Sequence, residues 1–139
     1  MLKVIIDTSV FVAAFGSKTN SSPVKMIDGW VDGQFALIMS PQLLEELVAK
    51  LAQRGVSEPT LIMLVTKITE IALHIPGSYQ ATRLDDIDPD DNKFLAAAYE
   101  AKADYLVSVD NHLLSLKYYH GTQILSPALF LRALPEKGD

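Results

Sequence analysis

Short apolar runs alternate with helix-length segments along this chain of 139 residues, and no other feature constrains its fold as strongly. The apolar runs are Leu2–Ile6, Phe35–Met39, Ala72–Ile75, Tyr105–Val109 and Gln123–Leu125. Strands that alternate with helices are typical of α/β proteins, whose sheet is mostly parallel. The pattern therefore predicts an α/β fold, with a central and mostly parallel sheet of about five strands flanked by helices.

Two Ser-Pro pairs and one Asp-Pro pair indicate where helices begin. Ser40, Ser126 and Asp88 each precede a proline, and a capping side chain followed by proline at the first helical position is a strong N-terminal signal. A further helix is predicted to begin near Pro23. The polar segment before it, Gly16–Ser22, predicts an exposed and mobile loop.

Length and composition predict one domain, residues 1–134, followed by a short tail, residues 135–139. Cysteine is absent, which excludes disulfide frameworks, thiolate zinc sites and thiol nucleophiles and favours a cytoplasmic location. No signal-peptide pattern and no apolar run of about 18 residues occurs, so we expect a soluble protein without membrane contact. The net charge of -5 gives no indication of a basic nucleic-acid-binding patch. A modest basic rim is compatible with this charge, and its candidates are Lys18, Lys25, Lys50, Arg54, Lys93 and Lys117.

Two aspartates end strand-like runs that are far apart in the sequence. Asp7 ends the run in "VIIDTSVFVAAF", and Asp110 ends the run in "YLVSVDNHLLSL". Ligands of open parallel sheets bind outside the carboxyl ends of the strands. Each aspartate taken alone is equally compatible with a turn or an N-cap. The neighbouring hydroxyls of Thr8, Ser9 and Ser108 could orient a carboxylate or a water.

A third aspartate opens an alanine-rich helical segment. Asp91 shares a helical face with Leu95 and Ala98, at the edge of the stripe predicted to be buried. Asp90 takes its place if the helix starts one residue earlier. A purely structural alternative is that Asp91 is a capping partner of Asp88.

Two adjacent glutamates flank the apolar arc of the helical segment Ser40–Leu51. Periodicity does not distinguish Glu45 from Glu46 as a site residue. The structural alternative for Glu46 is a salt bridge to Lys50, one turn along the helix. Carboxylates gathered at the edge of an apolar core are costly unless a positive charge compensates them, and a divalent metal ion is the simplest compensator.

The order Asp, Glu, Asp, Asp resembles the PIN domain family, particularly VapC-type ribonuclease toxins. The most specific parts are "VIIDTSVFVAAF" and the segment "DPDDNKFLAAAYEAKADYLVSVDNHLL". The resemblance implies a single PIN-like domain whose metal-binding and catalytic acids are Asp7, Glu46, Asp91 and Asp110. The Glu-Leu pair at Glu46 favours it over Glu45.

The resemblance also implies an activity and its cofactor. A Mg²⁺- or Mn²⁺-dependent endoribonuclease is expected, because hard cations prefer oxygen ligands and activate water for phosphodiester hydrolysis. Either one of the acids or Ser108, acting through a water, would orient the nucleophile. Ser9 stands where many relatives have asparagine, and His112 where many have a further acid. Both are candidates for substrate contact.

The expected partners follow from the resemblance as well. They are an RNA substrate, a small antitoxin protein as regulator, and a second copy of the chain in a homodimer. The helical segment Glu58–Ala72 carries many apolar side chains, which indicates either a dimer surface or a helix that covers the core. The alternative function is a non-catalytic PIN-like module that binds RNA or protein.

Overall fold

The computed structural model describes residues 1–135, in which strands and helices alternate. The strands are β1 (Lys3–Ile6), β2 (Ala36–Met39), β3 (Leu73–His74), β4 (Tyr105–Val107), β5 (Tyr118–Tyr119) and β6 (Thr122–Leu125). The helices are α1 (Thr8–Phe15), α2 (Ser22–Val31), α3 (Pro41–Gln53), α4 (Glu58–Ile71), α5 (Asn92–Ala101), α6 (Asn111–Leu114) and α7 (Pro127–Ala133). A turn of 3₁₀ helix, Pro89–Asp91, leads directly into α5.

The strands form one sheet in the order β3-β2-β1-β4-β6-β5. Every neighbouring pair is parallel except β5 and β6. The chain builds outward from β1 through β2 to β3, then returns to place β4 on the other side of β1. The strand order therefore reverses between β1 and β4, and ligands of open α/β sheets bind at such a switch point.

The central strands are covered on both faces. Val4, Ile5 and Ile6 are consecutive in β1 and all buried, as expected for a parallel strand between two layers of helices. Helix α5 packs across β1, β2 and β4, whereas α7 packs on β4 and α2. Phe130 of α7 is fully buried and meets the ring of Phe35 edge to face, with 5.1 Å between ring centroids.

The structure confirms the predicted α/β fold with a mostly parallel sheet flanked by helices. It has six strands where about five were predicted. The additional strand, β5, is a two-residue antiparallel partner of β6. His120 and Gly121 join the two strands with positive φ angles of 48° and 87°, as a tight hairpin turn requires. Two residues are too few to show a strand pattern in the sequence.

Two short helices, α1 and α6, were not predicted, because both lie in segments that read as continuations of strands. Each begins immediately after a strand-ending aspartate. The predicted caps of α3 and α7 are confirmed, since Ser40 and Ser126 accept hydrogen bonds from Leu43 N and Leu129 N. Asp88 precedes the 3₁₀ turn, but its side chain makes no capping hydrogen bond.

Within residues 1–135, no helix is long and apolar enough to cross a membrane. The segment Gly16–Ser22 connects α1 to α2 as predicted, apart from Ser22, which is the first residue of α2. The predicted tail, residues 135–139, lies outside the described residues beyond Pro135.

Candidate metal centre

Asp7 and Asp110 lie on either side of the switch point and share a serine. Asp7 follows β1, and Asp110 follows β4 after two intervening residues. Ser108 is fully buried, donates a hydrogen bond to Asp7 Oδ2 at 2.6 Å and accepts one from the Asp110 amide at 2.9 Å. A single hydroxyl therefore fixes the relative position of two aspartates that are 103 positions apart in the sequence.

Both aspartates are helix caps as well as cavity residues. Asp7 Oδ1 accepts a hydrogen bond from Ser9 N, and Asp7 Oδ2 accepts one from Ser9 Oγ at 2.9 Å. Asp110 Oδ1 accepts one from His112 N at 2.9 Å. The capping alternative and the site prediction are therefore compatible. Each carboxylate caps the helix that follows it and also lines the same cavity.

Asp91 is the last residue of the 3₁₀ turn and does not cap α5 with its side chain. Asp88, Asp91 and Asp110 each offer one carboxylate oxygen, and these three oxygens lie within 4.8 Å of one another. Asp91 Oδ2 is shielded from water and accepts no hydrogen bond from any described residue. A buried acceptor without a partner is costly, so this oxygen is suited to a cation.

Burial and the neighbouring carboxyl groups raise the pKa of two acids in this group. Asp91 has a pKa raised to about 8, first by burial, then by the adjacent Asp110 carboxyl group and by the negative charges of Asp7, Asp88 and Asp110. Burial also raises the pKa of Asp7, although hydrogen bonds from Ser108 and Ser9 oppose that rise. Without a cation, Asp91 therefore favours its protonated form at neutral pH.

Glu46 faces the same cavity with both of its oxygens occupied. Its Oε2 accepts a hydrogen bond from Thr8 Oγ1 at 2.8 Å, and its Oε1 forms an ion pair with Lys93 Nζ at 3.0 Å. The alternative salt bridge to Lys50 is not formed. Lys93 lies in α5, so this ion pair connects α3 to the helix that Asp91 precedes.

A cavity of about 430 Å³ brings the predicted acids together. Its lining includes Asp7, Glu46, Asp91 and Asp110, together with Thr8, Ser9, Val12, Ala13, Lys50, Arg54, Asp88 and Asp90. Glu45 is exposed on α3 and does not line it.

Two further predicted residues lie outside the lining. Ser108 is buried behind Asp7 and Asp110, and its hydroxyl is engaged by both of them. The His112 side chain is about half exposed, with its Nδ1 atom 4.0 Å from Asp110 Oδ1. Of the two, His112 is the one whose side chain is open to solvent beside the cavity.

Sequence patterns did not single out Asp88 as a site residue, and they did not show that Lys93, a candidate for the basic rim, pairs with Glu46. Asp88 precedes a proline, and that signal is identical for a capping residue and for a ligand. Its acidic surroundings, "DPDD", were the available clue. Lys93 contacts Glu46 across 47 positions, and such a non-local ion pair has no signature in a single sequence.

Comparisons with known proteins identify the family and the fold of this chain. Residues 3–112 match a family model described as a PIN domain. The chain is 32% identical over 123 residues to the uncharacterized protein MJ1680 of Methanocaldococcus jannaschii, covering 84% of this chain and 76% of that protein. It also resembles a chain in the crystal structure of VapBC2 from Rickettsia felis bound to a DNA fragment from their promoter. The TM-score is 0.58 at 15% identity, covering 88% of this chain and 97% of the other, which is a likeness of fold.

The raised pKa of Asp91 predicts how the metal-free protein responds to pH. The folded state holds a proton that the unfolded state releases, so stability decreases as the pH rises from the ordinary value of 3.8 to about 8. Asp91→Asn should flatten this decrease and stabilise the metal-free protein at pH 8. Urea denaturation in EDTA across this pH range measures the effect.

The matched control for this measurement is Asp28→Asn on α2, which removes an exposed aspartate outside the cavity. Its stability should follow that of the wild type at every pH. If the Asp91→Asn protein also follows the wild type from pH 4 to 8, the pKa of Asp91 is not raised in the folded protein.

Proposed function

We propose that this chain, which belongs to the PIN domain family, is a Mg²⁺- or Mn²⁺-dependent ribonuclease that hydrolyses RNA phosphodiester bonds. The observation that carries the proposal is the convergence of Asp88, Asp91 and Asp110 within 4.8 Å, in a cavity that Asp7 also lines. PIN domains are generally nucleases. The chain retains acids at all four positions that the family resemblance assigns to metal binding.

The residues of the site suit a hard divalent cation. The donors are carboxylate oxygens, which Mg²⁺ and Mn²⁺ prefer, and the three converging oxygens come from three separate side chains. Asp91 Oδ2 is buried and has no hydrogen-bond partner among residues 1–135, and the charge of a bound cation would satisfy it. We propose Asp91 and Asp110 as ligands, with Asp7, Asp88 and Glu46 completing the acidic environment.

A bound cation would supply Lewis-acid stabilisation of the phosphate and lower the pKa of a coordinated water. The protein's own residues hold the acids in place at the cavity. Ser108 holds Asp7 and Asp110 in register, and the Asp7 carboxyl group is placed to orient the attacking water. Thr8 and Lys93 hold Glu46, which keeps that carboxylate at the cavity without adding an uncompensated charge.

RNA as the substrate and an antitoxin protein as the regulator are proposed from the resemblance to VapC-type toxins. The likeness of fold to a chain of the VapBC2 structure supports this assignment. We propose that the chain is the toxin of a toxin–antitoxin pair. A partner protein that covers the cavity would block access to the acids and so suppress cleavage.

The proposed reaction predicts endonucleolytic cleavage of an RNA pool that is lost in EDTA and restored by Mg²⁺ or Mn²⁺. Asp7→Asn and Asp91→Asn should each reduce kcat/KM at least about a hundredfold, which corresponds to about 3 kcal/mol of transition-state stabilisation. His112→Ala should have a smaller effect, because its side chain does not line the cavity. Gel analysis of labelled RNA measures each rate.

Asp28→Asn is again the matched control and should cleave at the wild-type rate. Cleavage that continues unchanged in EDTA or in the Asp7→Asn protein would contradict the mechanism. If a broad RNA pool is bound but not cleaved, the chain is instead a PIN-like binding module.

We also propose a homodimer formed through α4. Ile62 and Met63 on this helix are 57% and 73% exposed, and adjacent exposed apolar side chains on a surface helix favour an interface. Light scattering at micromolar concentration should give twice the mass of one chain, and Met63→Lys should reduce it to the mass of one. A wild-type protein that is monomeric at that concentration would contradict the proposed dimer but not the proposed ribonuclease activity.

A further inference from the structure

We propose that Lys50 and Arg54 bind the RNA phosphates that flank the scissile one, so that helix α3 sets the path of the strand leaving the site. The inference rests on the proposed ribonuclease function and specifies how its substrate is held. Both side chains line the acidic cavity, and both are exposed.

The spacing of these residues places them in a row. Glu46, Lys50 and Arg54 follow one another at intervals of four in or at the end of α3, so they share one helical face. Each interval advances about 6 Å along a helix axis. That advance is comparable to the separation of neighbouring phosphates along a nucleic-acid strand. The row begins at Glu46, inside the site, and ends at Arg54.

The distribution of charge explains why a strand would follow this row. Among residues 1–135, the cavity lining contains six carboxylates, Asp7, Glu46, Asp88, Asp90, Asp91 and Asp110, and two cationic side chains, Lys50 and Arg54. A polyanion approaching a protein of net charge -5 is repelled except where cations compensate. Lys50 and Arg54 are the cations placed to do so at this cavity.

Neither cation is engaged elsewhere in the described part of the chain. Glu46 forms its ion pair with Lys93, and the other pair in that part joins His112 to Asp110. On an isolated helix Glu46 would pair with Lys50, one turn away. In the folded chain Glu46 pairs with Lys93 instead, so Lys50 is not needed for that pair. Long-range packing of α5 against α3 therefore leaves Lys50 unpaired among residues 1–135.

A structural role is the competing explanation for both residues. Lys50 lies in the last turn of α3 and Arg54 is its C-cap, where positive charge stabilises the helix dipole. That role affects folding stability but does not depend on RNA or on its length. The two explanations therefore differ in what a charge-removing substitution does to RNA binding.

The first experiment measures RNA binding in an Asp7→Asn background that prevents cleavage. Fluorescence anisotropy with a single-stranded RNA oligonucleotide in Mg²⁺ gives the affinity as a function of salt. Each phosphate contact contributes about 0.7 to the slope of log K against log salt. Lys50→Gln/Arg54→Gln should therefore lower the slope by about 1.4 and weaken binding at low salt about tenfold. Lys50→Arg/Arg54→Lys should retain both values.

The matched control is Lys102→Gln, which removes an exposed cation at the far end of α5, about 15 Å from Asp91 along that helix. It should leave the slope and the affinity unchanged. A slope in Lys50→Gln/Arg54→Gln equal to that of the parent, or an equal loss in Lys102→Gln, would overturn the inference.

The second experiment compares two substrates in protein that retains Asp7 and can therefore cleave them. A dinucleoside monophosphate contains only the scissile phosphate, so Lys50→Gln/Arg54→Gln should lose much less kcat/KM on it than on the oligonucleotide. With the oligonucleotide, KM should rise about tenfold with little change in kcat. An equal loss on both substrates would show a structural role and overturn the inference. An unmodified protein that neither binds nor cleaves RNA would overturn the proposed function, and this inference with it.

Discussion

Carboxylates whose oxygens lie within 4.8 Å of one another repel, and this repulsion is the constraint under which the rest of the site is built. Two unit charges about 4 Å apart cost roughly 1 kcal/mol in water and about 4 kcal/mol at an effective dielectric constant near 20. The fold responds in two ways. Burial and the neighbouring charges raise the pKa of Asp91 to about 8, so that without a cation this carboxyl group holds a proton at neutral pH, and Glu46 is paired with Lys93.

The topology of the sheet brings these acids together despite the repulsion. Because β1 and β4 are parallel neighbours, Asp7 and Asp110 emerge at the same edge, where Ser108 bonds to both. Helix α5 packs across β1 and β4 and carries Asp91 to that edge at its N-terminal end. Strand pairing, core packing and one buried hydroxyl therefore stabilise an arrangement that electrostatics alone would disperse.

Sequence patterns predicted the features that depend on short local segments of the chain. Alternating apolar runs predicted the parallel sheet, and a polar residue that ends such a run marked Asp7 and Asp110. The parts that were missed depend on tertiary contacts or on very short elements. Asp88 carries the same proline signal as a cap, α6 spans only four residues, and the partner of Glu46 comes from another helix. A helical wheel of α3 could not show that Glu46 pairs with Lys93 of another helix and not with Lys50.

The central claim is that this cluster of acids is a divalent-cation site, and anomalous diffraction from crystals soaked in Mn²⁺ tests it most directly. The account predicts an anomalous peak in the cavity between Asp91 and Asp110, at a distance typical of metal–oxygen bonds from both carboxylates. The same soak of Asp91→Asn crystals should weaken or abolish the peak. A cavity that stays empty in fully soaked wild-type crystals at pH 8, with Mn²⁺ bound elsewhere on the surface, would contradict the account.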